Sequence, residues 1–273
     1  MRPALERLRE GGSPLCLGLD PDPRRISRVV PGDPVQAAST FLRGVLEALA
    51  EDGLLPSTLK PNLAYFEQYG IRGLKLLEEL LEDWGSRSFV ILDAKRGDIG
   101  RSSQAYAQAL FGAWAADAVT VSPWMGLDSL EPFLNWCPER AVYVLVRTSN
   151  PGGADLQDLK VEGRPLWRLL ADRLRSDWHR EGVGAVVGAT RPEELLEMVR
   201  GRAIPLLIPG VGSQGGEADR VREALLESAE PKLHRVNVSS GILYAFEQMP
   251  GEGFARAAVE AARAFHGALK VPG

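Results

Sequence analysis

The sequence predicts an α/β protein with the fold of a (β/α)8 TIM barrel, formed by a single domain over residues 1–273. Its 273 residues lie close to the roughly 250 that one such barrel usually takes. Eight short apolar runs alternate with longer stretches of helical spacing, as βα units do. Several runs, VILD and VYVLV among them, lack the polar alternation of a half-exposed strand, which indicates a parallel sheet buried on both faces.

Strands and helices alternate along the chain, and each predicted strand is bounded by Gly, Pro, Ser or Asp. The predicted strands are Leu15–Leu19, Ser57–Lys60, Phe89–Asp93, Ala118–Val121, Ala141–Val146, Ala185–Gly188, Pro205–Ile208 and Arg235–Val238. The predicted helices are Pro34–Glu51, Ile71–Trp84, Ser102–Ala116, Leu166–Arg180, Arg191–Val199 and Gly216–Leu226, with a last one near Glu252–Leu269. An open doubly wound sheet would show the same alternation, but its dinucleotide-binding form needs a G-x-G-x-x-G sequence at the first helix, which this chain lacks.

Composition and charge exclude several classes of function. The 32 basic and 36 acidic residues give a net charge of −4, so there is no basic excess for a nucleic-acid polymer. No apolar run approaches the ~18 residues of a transmembrane helix, and charges interrupt the N-terminal stretch where a secretory signal would lie. Two cysteines, Cys16 and Cys137, are too few for a disulfide framework and indicate a reducing compartment. We therefore expect a cytoplasmic protein with no membrane partner.

Charged side chains stand at the ends of the first three predicted strands, where a barrel places its chemistry. Asp20 follows the first strand, and Lys60 ends the second. Asp93 and Lys95 in the third are two residues apart and project to the same side of a regular strand, with Asp98 in the loop that follows. Buried charges need partners, and alternating lysine and aspartate would supply them. These residues are candidates for a catalytic array, although any one pair could be an ordinary ion pair.

Lysine is scarce in this chain, since only six of the 32 basic residues are lysine. Two of the six, Lys60 and Lys95, fall at strand ends. Lysine can release a proton, whereas arginine effectively cannot. The choice of lysine therefore weakly favours proton transfer or Schiff-base chemistry at these positions.

Two further loops predict a phosphate site. The seventh strand runs into the glycine-rich sequence IPGVGSQGG at 208–216, which precedes a helix and includes Gln214. The eighth strand is followed by Ser239, Ser240 and Gly241. TIM barrels frequently bind phosphate in the loops after strands seven and eight.

Six motifs follow one another along the chain. They are LGLDPD around Asp20, LKPN at 59–62, LDAKRGDIG at 92–100, TSNPG at 148–152, PGVGSQGG at 209–216 and VNVSSGILYA at 236–245. In this order they resemble the orotidine 5'-phosphate decarboxylase family, in its longer bacterial form (type 2). The D-x-K-x-x-D pattern alone is shared with sugar-phosphate decarboxylases and aldol-type enzymes, whereas the DAKRGDIG, TSNPG and GxGxQGG combination is highly specific.

The resemblance implies a TIM-barrel homodimer that converts orotidine 5'-monophosphate to UMP in pyrimidine synthesis, with no metal and no organic cofactor. The members of its charged tetrad would be Lys60, Asp93, Lys95 and Asp98. Lys95 would deliver a proton to C6 after CO2 leaves. Asp98, Ile99 and Ser102 would project into the site of the partner subunit.

The resemblance also implies how the substrate would be held. Asp20 would bind the ribose hydroxyls, and Ser149, from a sequence that alone indicates only a generic turn, would bind the pyrimidine edge. The phosphate would be held by Gln214, Ser239, Ser240 and Gly241. The family usually has an arginine before the glycine of the last motif, where this chain has Ser240. The sequence leaves open which group replaces that arginine.

Two other functions remain open on the sequence alone. A related phosphosugar decarboxylase or aldolase would share the barrel and the D-x-K-x-x-D pattern. A non-catalytic protein that binds a phosphate ligand would share the barrel and could tolerate Ser240. Chelation would expose the metal-dependent relatives, and borohydride trapping would expose a Schiff-base aldolase.

Overall fold

The computed structural model describes residues 2–201, 203–212 and 215–272, and a closed barrel of eight parallel strands lies at its centre. The barrel strands are β1 (Leu15–Leu19), β2 (Thr58–Pro61), β3 (Phe89–Arg96), β4 (Ala118–Val121), β5 (Ala141–Arg147), β8 (Val183–Val187), β9 (Leu206–Ile208) and β10 (Arg235–Val238). Their order around the barrel is β1-β10-β9-β8-β5-β4-β3-β2. A short antiparallel hairpin, β6 (Lys160–Val161) and β7 (Arg164–Pro165), lies outside it. The predicted (β/α)8 TIM barrel is confirmed.

Helices connect the strands and flank the barrel. They are α1 (Ala4–Glu10), α2 (Pro23–Ile26), α3 (Pro34–Glu51), α4 (Leu63–Glu67), α5 (Ile71–Trp84), α6 (Gly100–Ala107), α7 (Leu127–Leu134), α8 (Ala154–Gln157), α9 (Leu166–Arg175), α10 (Pro192–Arg200), α11 (Gly215–Leu226), α12 (Ser240–Leu243) and α13 (Phe254–Ala268). Helix α3 begins where the sequence predicts because the Asp33 side chain accepts the N–H groups of Val35 and Gln36, and Pro34 occupies the first helical position.

Three differences from the sequence prediction lie between residues 89 and 134. Strand β3 extends to Arg96 instead of ending at Asp93. The helix predicted to start at Ser102 begins at Gly100 and passes into a π-helical segment at 108–113. Helix α7 lies where no helix is predicted, and it contains Pro132, a residue that normally interrupts helical patterns.

The amino-terminal end of the barrel is closed by α1 and a buried arginine. Arg235, the first residue of β10, donates hydrogen bonds to the backbone carbonyl of Leu8 in α1 and to Thr58 Oγ1 (2.7 Å). Burial and the neighbouring arginine lower the pKa of His234 to about 3, so that this imidazole is neutral and its Nδ1 accepts the N–H of Leu206. Arg235 therefore lies at the end of the barrel opposite the strand carboxyl ends, as expected for the first residue of its strand.

The core lies inside the barrel and between the barrel wall and the helices. Strands β1, β4, β8 and β10 are buried along their whole length. Helices α3 and α13 pack through Phe41 and Phe254, whose ring centroids are 5.0 Å apart. Within the part of the chain that the structure describes, no helix combines the length and the apolar character needed to cross a membrane.

Candidate active site

Three of the predicted residues meet at the carboxyl ends of β2 and β3. Lys60 Nζ donates a hydrogen bond to Asp93 Oδ2 at 3.0 Å, and Lys95 Nζ donates to Asp93 Oδ1 at 2.7 Å. One carboxylate thus binds two ammonium groups, one on each oxygen. Only 4% of the Lys60 side chain is exposed, against 50% of the Lys95 side chain. Lys95 is therefore the more accessible lysine of this pair.

Lys95 occupies an irregular part of β3. The pairing of β3 with β4 is regular up to Leu92 and resumes at Arg96, so that Asp93–Lys95 lies opposite Thr120 alone. This bulge gives Lys95 a left-handed backbone, with φ of +46°, which residues other than glycine rarely adopt. In a regular strand, alternation would also have placed the Asp93 and Lys95 side chains on one face. In the structure these two side chains meet within the irregular segment of β3 instead.

Burial disfavours both charged groups of the Lys60–Asp93 pair, but attraction between opposite charges outweighs this effect. Asp93 and Asp20 raise the pKa of Lys60 above its ordinary value. Lys60 and Lys95 hold the pKa of Asp93 well below its ordinary value. Lys60 and Asp93 are therefore both ionised at neutral pH. Across the described residues, no group of three or more His, Cys, Asp or Glu is placed to hold a metal ion.

The charged array lies in the wall of a cavity of about 380 Å³ at this end of the barrel. Asp20, after β1, and Ser149, after β5, line the same cavity, so the structure brings five predicted site residues together. A cavity of this size is suited to a small molecule. Polar residues without a predicted role also line it, and they are Asn62, Thr120, Thr148, Asn150 and Asn237.

The loop after β1 is held by the hydroxyl of Tyr244. This hydroxyl donates to the backbone carbonyl of Asp20 and accepts the N–H of Asp22, both at 2.7 Å. Asp20 Oδ1 is buried and has no hydrogen-bond partner among the described residues. A carboxylate oxygen only accepts, so this atom is suited to a ligand that brings hydroxyl donors.

The loop after β5 is fixed by the loop after β8. Thr190 Oγ1 donates to the backbone carbonyl of Ser149 at 3.2 Å. A Cβ at Gly188 would lie 2.8 Å from Ser149 Cα, so a larger residue there would displace the loop. The backbone of Ser149 is therefore held in place at the cavity wall.

The predicted phosphate site is described in part. Gln214 lies outside the described residues. A Cβ at Gly18 would lie 2.7 Å from Ser239 Cβ, and a Cβ at Gly241 would lie 3.1 Å from the carbonyl oxygen of Gly212. The loop after β10 therefore packs against both β1 and the loop after β9, and glycine at these two positions allows the close approach.

One backbone N–H of the loop after β9 is already hydrogen-bonded to an acidic side chain. Glu217 Oε2 accepts a hydrogen bond from the backbone N–H of Gly212 at 2.8 Å. Ser240 is exposed and brings a hydroxyl but no charge. Because Arg235 is fixed at the closed end of the barrel, it does not take the place of the arginine that the family usually has at the position of Ser240.

Asp98, Ile99 and Ser102 are not among the described residues that line the cavity. Asp98 Oδ1 accepts the N–H of Ile99 at 2.8 Å, and the Ile99 side chain is 58% exposed. Ser102 is also exposed. Within one subunit, these three residues do not join the Lys60–Asp93–Lys95 array.

A closed parallel barrel with a carboxylate and two lysines at its strand ends defines a class, the TIM-barrel enzymes whose sites are built from fixed charges. The chain matches the model of the family described as Orotidine 5'-phosphate decarboxylase / HUMPS family over residues 13–248. It belongs to this family, as the six motifs predict.

Relatives of known name are similar along nearly the whole chain. The orotidine 5'-phosphate decarboxylase of Roseiflexus castenholzii is 43% identical over 262 residues, which covers 94% of this chain and 92% of the relative. That of Thermomicrobium roseum is 44% identical over 264 residues, with coverage of 94% and 91%. The solved structure of Leishmania donovani OMP decarboxylase is 33% identical, covers 99% of this chain and 100% of that chain, and has a TM-score of 0.80.

Proposed function

We propose that this protein removes CO2 from orotidine 5'-monophosphate to give UMP, a carboxy-lyase step of de novo pyrimidine biosynthesis, without a metal or an organic cofactor. The observation that carries the proposal is the Asp93 carboxylate with one lysine on each oxygen, at the mouth of a barrel of this family. The names of the relatives support the same substrate.

Lys95 is the proton donor in this proposal. When the bond between C6 and the carboxylate breaks, CO2 leaves and the electron pair stays on C6, where the uracil ring delocalises it poorly. The Lys95 ammonium is bound to Asp93 at 2.7 Å, so its positive charge is in place before the negative charge develops. Transfer of one of its protons to C6 completes UMP and leaves a neutral amine.

Asp93 and Lys60 hold that ammonium in position. Lys60 neutralises the second oxygen of Asp93, which leaves the first oxygen to bind Lys95. An ionised Asp93 close to the substrate carboxylate would also disfavour the bound ground state. Binding of the distant phosphate supplies free energy that offsets this repulsion.

The remaining contacts bind the ribose, the base and the phosphate. Asp20 accepts the ribose hydroxyls, which is supported by its buried, unpaired Oδ1. Ser149 binds the pyrimidine edge, which is supported by its place in the cavity wall. The phosphate is bound by Gln214 and by the hydroxyls and amides of Ser239, Ser240 and Gly241.

Glu217 competes with the substrate phosphate for the amide of Gly212. Glu217→Gln removes this negative charge, so we expect the KM for orotidine 5'-monophosphate to fall about three- to tenfold, the size of a partly screened charge interaction, with kcat unchanged. Steady-state kinetics at fixed ionic strength measure the effect. Glu223→Gln, which changes an exposed residue of the same helix, is the matched control and leaves KM unaltered. An unchanged or higher KM in Glu217→Gln contradicts the competition.

We propose that the protein is a homodimer in which Asp98 of one subunit completes the site of the other, with Ile99 and Ser102 beside it. The support is four exposed apolar side chains on this segment and on the loop after β4, namely Ile99, Tyr106, Trp124 and Met125. The Arg96 guanidinium of β3 lies over the Tyr106 ring, 5.2 Å from its centroid. Exposed apolar patches of this kind mark protein interfaces.

We further propose that residues 1–273 act as a single domain in the cytoplasm, with no nucleic-acid polymer and no membrane as partner. Helix α1 closes one end of the barrel, and α13 packs against α3, which supports one unit from the first described helix to the last.

The fall in ultraviolet absorbance as orotidine 5'-monophosphate is converted tests the proposed function, with and without EDTA. We expect the same rate in both conditions. Loss of activity on chelation would indicate a metal-dependent relative instead. Borohydride trapping of substrate at Lys60 or Lys95 would indicate an aldolase, and binding without turnover would indicate a phosphate-ligand binder.

A further inference from the structure

Thr120 of β4 is the residue that lies opposite the bulge of β3. The three residues Asp93–Lys95 lie opposite it, so the regular exchange of backbone hydrogen bonds is interrupted here. The N–H of Lys95 is bound instead by the side chain of Thr120, with 3.0 Å between the nitrogen and Oγ1. A side chain therefore replaces the missing strand partner.

The same hydroxyl also binds the charged array. Thr120 Oγ1 donates its proton to Asp93 Oδ1 at 2.8 Å. This is the only direction available, because an ionised carboxylate can only accept, and the lone pairs of the hydroxyl remain to accept the N–H of Lys95. Thr120 is 1% exposed, so bulk water does not compete for either bond. One atom thus joins the backbone of Lys95 to the carboxylate that binds the Lys95 ammonium.

Lys95 needs such support because its backbone, with φ of +46°, is in a sparsely populated conformation that persists only where its surroundings hold it. We propose that Thr120 is a positioning residue for the proton donor. Its hydroxyl fixes the backbone of Lys95 relative to Asp93, and thereby the direction in which the ammonium points. This role rests on the functions proposed above for Lys95 and Asp93.

Thr120→Val tests the proposal because it removes the hydroxyl at nearly constant volume. The variant leaves the N–H of Lys95 without its partner and Asp93 Oδ1 with one donor fewer. We expect kcat to fall about 10- to 100-fold, as when a group that orients a catalytic residue is lost, while KM stays within about threefold. Thr120→Ser keeps the hydroxyl and restores most of kcat.

Thr58→Val is the matched control, since Thr58 is equally buried and its hydroxyl accepts from Arg235 at the closed end of the barrel. We expect it to lower the thermal unfolding temperature without lowering kcat. Thr120→Ala is a second variant without the hydroxyl, to be used if the valine variant does not fold. The proposal is overturned if the hydroxyl-free variant keeps its kcat, or if Thr120→Ser is as impaired as that variant.

Lys95→Ala, assayed in parallel, separates this proposal from the one on which it rests. An active Lys95→Ala overturns the role of Lys95 as proton donor and the positioning role with it. An inactive Lys95→Ala together with a fully active Thr120→Val overturns the positioning role alone. Loss of kcat in both variants, with rescue by Thr120→Ser, supports both.

Discussion

Lys95→Ala is expected to abolish decarboxylation while leaving UMP binding measurable. The variant loses both the proton that completes the product and the positive charge next to C6. General acids and oriented charges each contribute about 10²-fold or more, so we expect kcat to fall by at least about 10³-fold. The product binds through its phosphate, ribose and base, which the proposal assigns to other residues. Absorbance assays measure turnover, and titration calorimetry measures UMP binding.

The control for this variant is Lys75→Ala, which removes an exposed lysine of α5 and is expected to keep full activity. Asp93 retains Lys60 and Thr120 as partners in Lys95→Ala, so its carboxylate is not left unpaired. Thermal unfolding of both variants checks that the barrel is intact. Turnover retained in Lys95→Ala would mean that the proton comes from elsewhere.

A hybrid dimer that combines Lys60→Ala in one subunit with Asp98→Asn in the other is expected to regain activity that neither parent has. If Asp98 serves the partner's site, one of the two hybrid sites contains both changes and the other contains neither. Because the dimer has two equivalent sites, the purified hybrid should show about half of the wild-type activity per dimer. Co-expression with two affinity tags yields the hybrid, and the absorbance assay measures its rate.

The control is a hybrid of wild type with a subunit that carries both changes. Here each site has one change, so activity stays near the low level of the Lys60→Ala and Asp98→Asn single variants. If the first hybrid forms dimers but is as inactive as this control, Asp98 does not act across the interface. Recovery in both hybrids would also contradict the shared site.

The regular elements of the fold could be predicted because their signals are local. Helices α3 and α5 have the predicted bounds, and all eight barrel strands lie within a few residues of the predicted runs. In α3, the signal is a capping carboxylate followed by proline, both of which act within one turn. The hairpin formed by β6 and β7 has only two residues in each strand, too few for a periodic pattern.

The charged array could be predicted in composition but not in geometry. Lys60, Asp93 and Lys95 meet as expected, because parallel strands bring their carboxyl ends together. The bulge that turns Lys95 depends on the register between β3 and β4, which local alternation does not encode. Thr120 had a signal in the sequence, since it is the one polar residue of the run Ala118–Val121, but its partners lie 25 and 27 positions away.

The closed end of the barrel has a consequence for folding. The hydrogen bond from Arg235 to Leu8 joins residues 227 positions apart, and the bond to Thr58 spans 177 positions. Burying a guanidinium without these acceptors would cost free energy of folding. A barrel that lacks either contact is therefore destabilised at its amino-terminal end. Pairings this distant in sequence slow folding, because the loop between them must close first. They also couple the two halves of the barrel, so that we expect α1, β2 and β10 to unfold together and not one after another.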